Sequence, residues 1–134
     1  MINFTIPGEP MGKQRARTTK WGSYTPEKTV NYETLVKLIY KEKYPSQELI
    51  YTPLQLTINA YLGIPKSTPK KNIPLMQQGT IRPTKKPDID NIAKIVLDAL
   101  NTICYKDDTQ VVSLTLNKFY SSEPHVEVFI EGVS

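Results

Sequence analysis

KPDIDNIAKIVLDALN, Lys86 to Asn101, decides how the rest of the chain is read. After Pro87, the apolar residues Ile89, Ile92, Ala93, Val96, Ala99, Leu100 and Ile103 recur at steps of three and four, which predicts a helix with one buried face. Asp90, Lys94 and Asp98 step by four along the opposite side, with Asn91 and Asn101 beside them. The run before this helix, Leu49 to Pro87, contains no acidic residue and ends abruptly in Asp88 and Asp90. Both aspartates fall at the predicted helix start, where backbone N–H groups lack partners and the dipole end is positive.

Two readings of these acids follow. An aspartate at a helix start is ordinarily a cap, worth about 0.5–2 kcal/mol relative to alanine, and Asp107-Asp108 suits an ordinary turn before a strand. One cap, however, needs one carboxylate. A helix and a following strand joined by a short turn tend to lie side by side, which predicts that Asp107-Asp108 returns towards Asp88 and Asp90. Carboxylates about 4–5 Å apart at an effective dielectric near 20 repel by roughly 3–4 kcal/mol per pair. Such a cluster favours a hard divalent cation, and Mg²⁺ typically takes one or two carboxylates, waters and a phosphate.

Composition narrows the partners. The chain has 134 residues, 17 basic and 13 acidic, with a net charge of +4. That length predicts one domain over residues 1–134 with a single core, and the basic excess suits a polyanionic partner. The lone cysteine, Cys104, excludes a disulfide framework or a cysteine zinc site within the chain and reads as a small buried residue. Neither a membrane-spanning apolar run nor a signal-peptide core is visible, so the expected location is cytoplasmic with no membrane partner.

Outward from the central helix, Ile2 to Ile6 alternates as a first strand. Residues 8–24 follow as a basic loop carrying Lys13, Arg15, Arg17 and Lys20, with Trp21 and Tyr24 close behind. Basic residues interleaved with aromatics suit phosphate contacts and base stacking; a solvated loop pinned by Trp21 packed on the core is the other reading, and the one favoured for Trp21 itself. Thr25-Pro26-Glu27 reads as a helix start with a capping hydroxyl, and Val30, Leu35, Val36, Ile39 and Tyr40 as its buried stripe up to Pro45. Leu54 to Ile64 alternates without a break as a strand. Residues 65–87 hold five prolines and six basic residues, Lys66, Lys70, Lys71, Arg82, Lys85 and Lys86. A long structureless connection of that charge, delivered into Asp88, reads as a mobile loop that grips substrate. Val112, Leu114 and Leu116, then Val126, Val128 and Ile130, supply two more strands. The order is strand, helix, strand, helix, strand, strand: a mixed α/β (α+β) fold with one sheet of about four strands and both helices against it. His125, the only histidine, falls on the polar face of the last strand and reads as surface. No nucleophile elbow, P-loop or dinucleotide glycine pattern is present, and the Asp88 segment lacks the glycine and closing glutamate of a calcium loop.

KPDIDNIAKIVLDALN followed by YKDDTQVV resembles the signature of the RusA family of Holliday junction resolvases: D-x-D-N, a lysine four after the second aspartate, D-A-L one turn later, then D-D-x-Q-V-V. GKQRAR and IPKSTPKK also resemble the family's basic loops, so the likeness covers most of the chain. The resemblance implies catalytic roles for Asp88, Asp90, Lys94 and Asp108, with Asp88, Asp90, Asp108 and Asp107 at the metal. It also implies a homodimer that needs Mg²⁺, for which Mn²⁺ can substitute, and that cuts four-way DNA junctions with paired symmetric incisions. The junction's phosphates would then lie along Lys13, Arg15 and Arg17 on one side and Lys66, Lys70, Lys71, Arg82, Lys85 and Lys86 on the other. Two alternatives share these residues: another metal-dependent nuclease cutting flaps or forks, and a non-catalytic DNA-binding phage accessory protein.

Overall fold

The computed structural model describes residues 1–133. Its main sheet has four strands: β1 (Ile2–Pro7), β4 (Leu54–Gly63), β5 (Val111–Ser121) and β6 (His125–Gly132), in the spatial order β1-β6-β4-β5. β6 is antiparallel to both β1 and β4, whereas β5 runs parallel to β4. Two longer helices, α1 (Glu27–Lys43) and α3 (Ile89–Leu100), pack against each other and against the sheet.

The period-two pattern explains which face the helices cover. Phe4 pairs with Val128 and Ile58, across β6, pairs with the same residue, so alternate positions of three strands share one side. Ile2, Phe4 and Ile6, the even-numbered residues Leu54 to Leu62, and Val126, Val128 and Ile130 are all buried there. Ile92, Ile95, Val96, Ala99 and Leu100 of α3 close the core from the other side, and Cys104 is buried among them. α3 therefore forms where the spacing predicts, although Ile89, at the helix tip, is half exposed and Ile95 takes its place inside.

α1 departs further from its predicted stripe. Thr29, Tyr32, Val36 and Tyr40 face inward at steps of three and four, while Val30 is exposed. Pro26 rather than Thr25 occupies the position before the helix, and no side chain caps it. The choice of face is made by β1: Phe4 meets the Tyr40 ring edge-on at 5.8 Å, and the Tyr44 hydroxyl accepts the Asn3 N–H at 3.0 Å and donates to the Asn3 carbonyl at 3.1 Å.

Both basic loops hold more structure than expected. Residues 8–24 contain a hairpin, β2 (Arg17–Thr19) with β3 (Gly22–Tyr24), outside the main sheet. Trp21 lies at its tip and is 86% exposed, which overturns the expectation that it packs on the core. The connection 65–87 is not structureless either. It contains a 3-10 turn at Lys70–Asn72 and the short helix α2 (Ile73–Gln77), and α2 packs on β5. Arg82 ties its later part to that strand: the guanidinium lies 4.3 Å over the Phe119 ring and Nε donates to the Lys118 carbonyl at 2.9 Å. Phe119 in turn stacks on Tyr61 at 5.3 Å, and Tyr61 on His125 at 4.3 Å, so His125 ends a row of stacked groups crossing three strands.

Candidate active site

Three segments meet at the start of α3. Asp88 occupies the cap position with extended backbone, but its side chain makes no capping hydrogen bond, so both carboxylate oxygens stay free of the helix. Asp90 stands exposed in the first turn, and Lys94 one turn further on is also exposed. The residue that ties this end down is Gly12. A Cβ there would sit 3.0 Å from Cβ of both Asn91 and Pro87, so only glycine lets the basic arm approach so closely. The Lys13 N–H then donates to the Asn91 carbonyl at 2.8 Å.

The Lys13 side chain runs on along α3 and bridges to α1. Its ammonium lies 2.7 Å from Glu33 and 3.2 Å from Asp98. Burial works against the charged form, but the hydrogen bonds to Glu33 and Asp98 prevail and hold the Lys13 pKa above the ordinary lysine value. These are the only ion pairs among the described residues, so Lys94 forms none with Asp90 or Asp98.

The second acidic pair lies at the other end of the helix. β5 begins beside the C-terminus of α3 and runs back along it, so Asp107 and Asp108, which precede β5, stay at that end. The Asp108 N–H donates to Asn101 Oδ1 at 3.1 Å, and Asp107 Oδ1 accepts the Thr109 N–H at 3.3 Å as the cap of a 3-10 turn. The hydrogen bond that the protonated Asp108 carboxyl donates to Asp107, then partial burial, then the charges of Asp107 and Asp98 push the Asp108 pKa up. From Asp88 to Asn101 is thirteen residues, and at about 1.5 Å of rise per residue the two pairs are roughly 20 Å apart along the axis. The expectation that Asp107-Asp108 returns to Asp88 and Asp90 within one chain is therefore not met. The helix between them acts as a rigid spacer. Among the described residues no three acidic, histidine or cysteine side chains gather closely enough to hold a metal.

The far end of β5 does return to the start of α3, carrying a residue that the sequence reading passed over. Lys118 donates from Nζ to the Lys85 carbonyl, and Lys85 lies 6.0 Å over the Tyr120 ring. Lys118 pairs with Ala60 across the sheet, an apolar position, so alternation alone places it on the covered face rather than near the acids. Of the predicted basic residues, Arg15, Arg17, Lys66, Lys70, Lys71, Arg82, Lys85 and Lys86 are exposed, Arg82 with its guanidinium over Phe119, whereas Lys13 is bound to two carboxylates.

Free carboxylates at a helix start, bordered by exposed lysines and arginines, equip a small α/β enzyme to act on a phosphodiester polyanion. The chain belongs to the RusA endodeoxyribonuclease family, whose model matches residues 7–131. It is also similar to the uncharacterized protein YqaN of Bacillus subtilis (strain 168), with 41% identity over 139 residues, covering 99% of this chain and 97% of that protein. No helix is long and apolar enough to cross a membrane among the described residues.

Proposed function

We propose that the protein is a Mg²⁺-dependent endodeoxyribonuclease that resolves four-way DNA junctions by paired symmetric cuts during recombination and repair, and that it does so as a homodimer. The observation that carries this reading is the start of α3, where Asp88 and Asp90 present carboxylates not consumed by capping. They belong to a chain of a DNA-endonuclease family.

The donor set suits the metal. Asp88, Asp90, Asp107 and Asp108 offer only hard carboxylate oxygens, and the raised pKa of Asp108 beside Asp107 marks a like-charge pair that a cation would relieve. Mg²⁺, or Mn²⁺ in its place, would supply a Lewis acid at the scissile phosphate and a bound water of lowered pKa. The chain's own part is positioning and charge. Lys94, exposed and unpaired one turn beyond Asp90, is placed to neutralise the phosphate as negative charge grows on it. The exposed lysines and arginines grip the backbone without reading sequence.

Dimerisation follows from the distance between the two acidic pairs. A two-fold axis crossing α3 lays two copies of the helix antiparallel, so the start of one lies beside the end of the other. Asp88 and Asp90 of one copy would then share a site with Asp107 and Asp108 of its partner, twice over. The surface beside α3 is suited to such a contact. β5 is an edge strand, and its Val112 and Leu114 are 62% and 41% exposed. Two equivalent sites also match the approximate two-fold symmetry of a four-way junction.

The test is a labelled synthetic four-way junction incubated with and without Mg²⁺, with flap and linear duplex substrates alongside. Symmetric nicks in opposite strands of the junction, dependent on Mg²⁺ and lost in Asp90→Asn, are expected. Preferential cutting of the flap, or cutting that survives Asp90→Asn in a folded protein, would refute the assignment.

A further inference from the structure

The hairpin β2–β3 leaves the largest apolar ring in the chain in water. Trp21 sits at its tip with Gly22 behind it at φ 123, and both strands are exposed along their whole length. The hairpin is held by its own polar bonds: Trp21 N–H to Thr19 Oγ1 at 3.2 Å and Thr19 Oγ1 to the Gly22 carbonyl at 3.2 Å. Two-stranded hairpins alone are marginally stable, and an indole that packed inward would stabilise this one. Here it points away instead.

What surrounds the indole says what it meets. The Lys20 ammonium lies 5.1 Å over the Trp21 ring, and Arg17 pairs across the hairpin with the half-exposed Tyr24. From Pro10 to Pro26 the arm contains no acidic residue. A hydrophobic surface awaiting another protein or a lipid tail would need no such collar, whereas cations around bare aromatic rings match phosphates around bases. The arm is also rooted at the candidate active site, because Gly12 and Lys13 are wedged against Pro87 and Asn91 beside Asp88. At about 3.3 Å per extended residue, the seven steps from Gln14 to Trp21 reach roughly 20 Å outward.

We propose that this hairpin is a stacking probe for branched DNA, with Trp21 laid on the base-pair face exposed where duplex arms meet and Arg15, Arg17 and Lys20 on the flanking phosphates. Inside a linear duplex every base pair is covered above and below, so the indole finds a free face only at the two ends, which hairpin loops can close. At a branch point the innermost pairs have one. The hairpin thus gives preference for branched over linear DNA without reading sequence. The inference rests on the junction-nuclease reading and adds to it the element that recognises the branch.

Trp21 is the only tryptophan in the chain, so indole fluorescence reports on the hairpin alone. Without divalent metal, to prevent cutting, the protein is titrated with a four-way junction and with a linear duplex, all ends closed by hairpin loops, while binding is followed separately by fluorescence anisotropy of the labelled DNA. The junction should change the indole emission and shield it from a soluble quencher, and the duplex should not. Trp21→Ala should weaken junction binding by about 5- to 150-fold, the range set by stacking one base on an aromatic ring, with Trp21→Phe in between and duplex binding little changed. Junction binding with unmoved emission, or an equal response to duplex, overturns the hairpin proposal alone. Emission that shifts with protein concentration in the absence of DNA overturns it in favour of a dimer arm. Absence of any junction binding by anisotropy sinks the nuclease reading and the probe together.

Discussion

Replacing Lys13 by methionine separates a strut from a phosphate contact. The stem of similar length remains, but the ammonium that lies 2.7 Å from Glu33 and 3.2 Å from Asp98 is gone. Breaking a fully buried ion pair by removing one partner costs about 3–5 kcal/mol. The three side chains keep 20%, 15% and 30% of their surface in water, so solvent screens part of that loss and roughly 1–2 kcal/mol is the better figure. For a domain of this size that lowers Tm by about 3–8 °C. The raised Lys13 pKa also sets a sign: this stability is fully present below the ordinary lysine pKa and is lost only as pH rises through the folded value, so the Tm difference should be constant across neutral pH and shrink in strong alkali. Glu33→Gln should recover part of the loss in the double variant, because it removes a charge left without a partner. Differential scanning fluorimetry across pH gives the Tm values, and DNA binding at several salt concentrations gives the phosphate count. Each phosphate contact contributes about 0.9 to the slope of log affinity against log salt. Arg15→Gln and Arg17→Gln should each flatten that slope; Lys13→Met should leave it unchanged. An unaltered Tm together with a flattened slope for Lys13→Met would refute the strut, and Lys13 would then belong with the DNA-binding residues.

Gly12→Ala forces its new Cβ to within 3.0 Å of two carbons at the root of the arm, so cleavage should fall by at least tenfold while far-UV circular dichroism stays native; unchanged cleavage would show that the arm tolerates displacement. Leu114→Lys with Val112→Glu puts charges on the uncovered part of β5 and should yield a monomer by light scattering that no longer cuts junctions, and a cutting-competent dimer would place the interface elsewhere. Thr102 holds φ at 62° although it is β-branched, a conformation costing roughly 1–2 kcal/mol, so Thr102→Gly should raise stability in urea unfolding despite the added freedom of the unfolded chain. A drop would show that the threonine side chain offsets the strain.

The central helix was legible because burial and period coincide over twelve residues, and the strands of β4 and β6 because both faces of alternation were populated. Alternation says which residues share a face; it does not say whether anything covers that face. Val112 and Leu114 look like core from their spacing, yet they lie on the edge strand and stay exposed. Trp21 failed for a related reason. A lone indole is usually buried, and only the turn around it, Thr-Thr-Lys-Trp-Gly with exposed polar strands on either side, carried a signal for a hairpin. The partners of Lys13 are 20 and 85 residues away, and no local pattern announces them.

The acids of the site present the sharpest case. Spacing and the family resemblance single them out, and their separation was in principle legible too: a helix with Asp88 before its first turn and Asn101 after its last has a known length. Convergence within one chain was therefore already at odds with the helix that the same residues predicted. Two ways remain to satisfy carboxylates set roughly 20 Å apart on one side of a rod: leave them as two unrelated caps, or bring a second rod alongside in the opposite sense. Caps account for Asp107, whose side chain accepts the Thr109 N–H, but not for Asp88, which caps nothing. The uncovered apolar flank of β5 lies next to that rod, where a second copy would have to sit. The proposed site divided between subunits would also tie cutting to pairing: a monomer in solution would not nick DNA at random, and both incisions would wait until two chains had met on one junction.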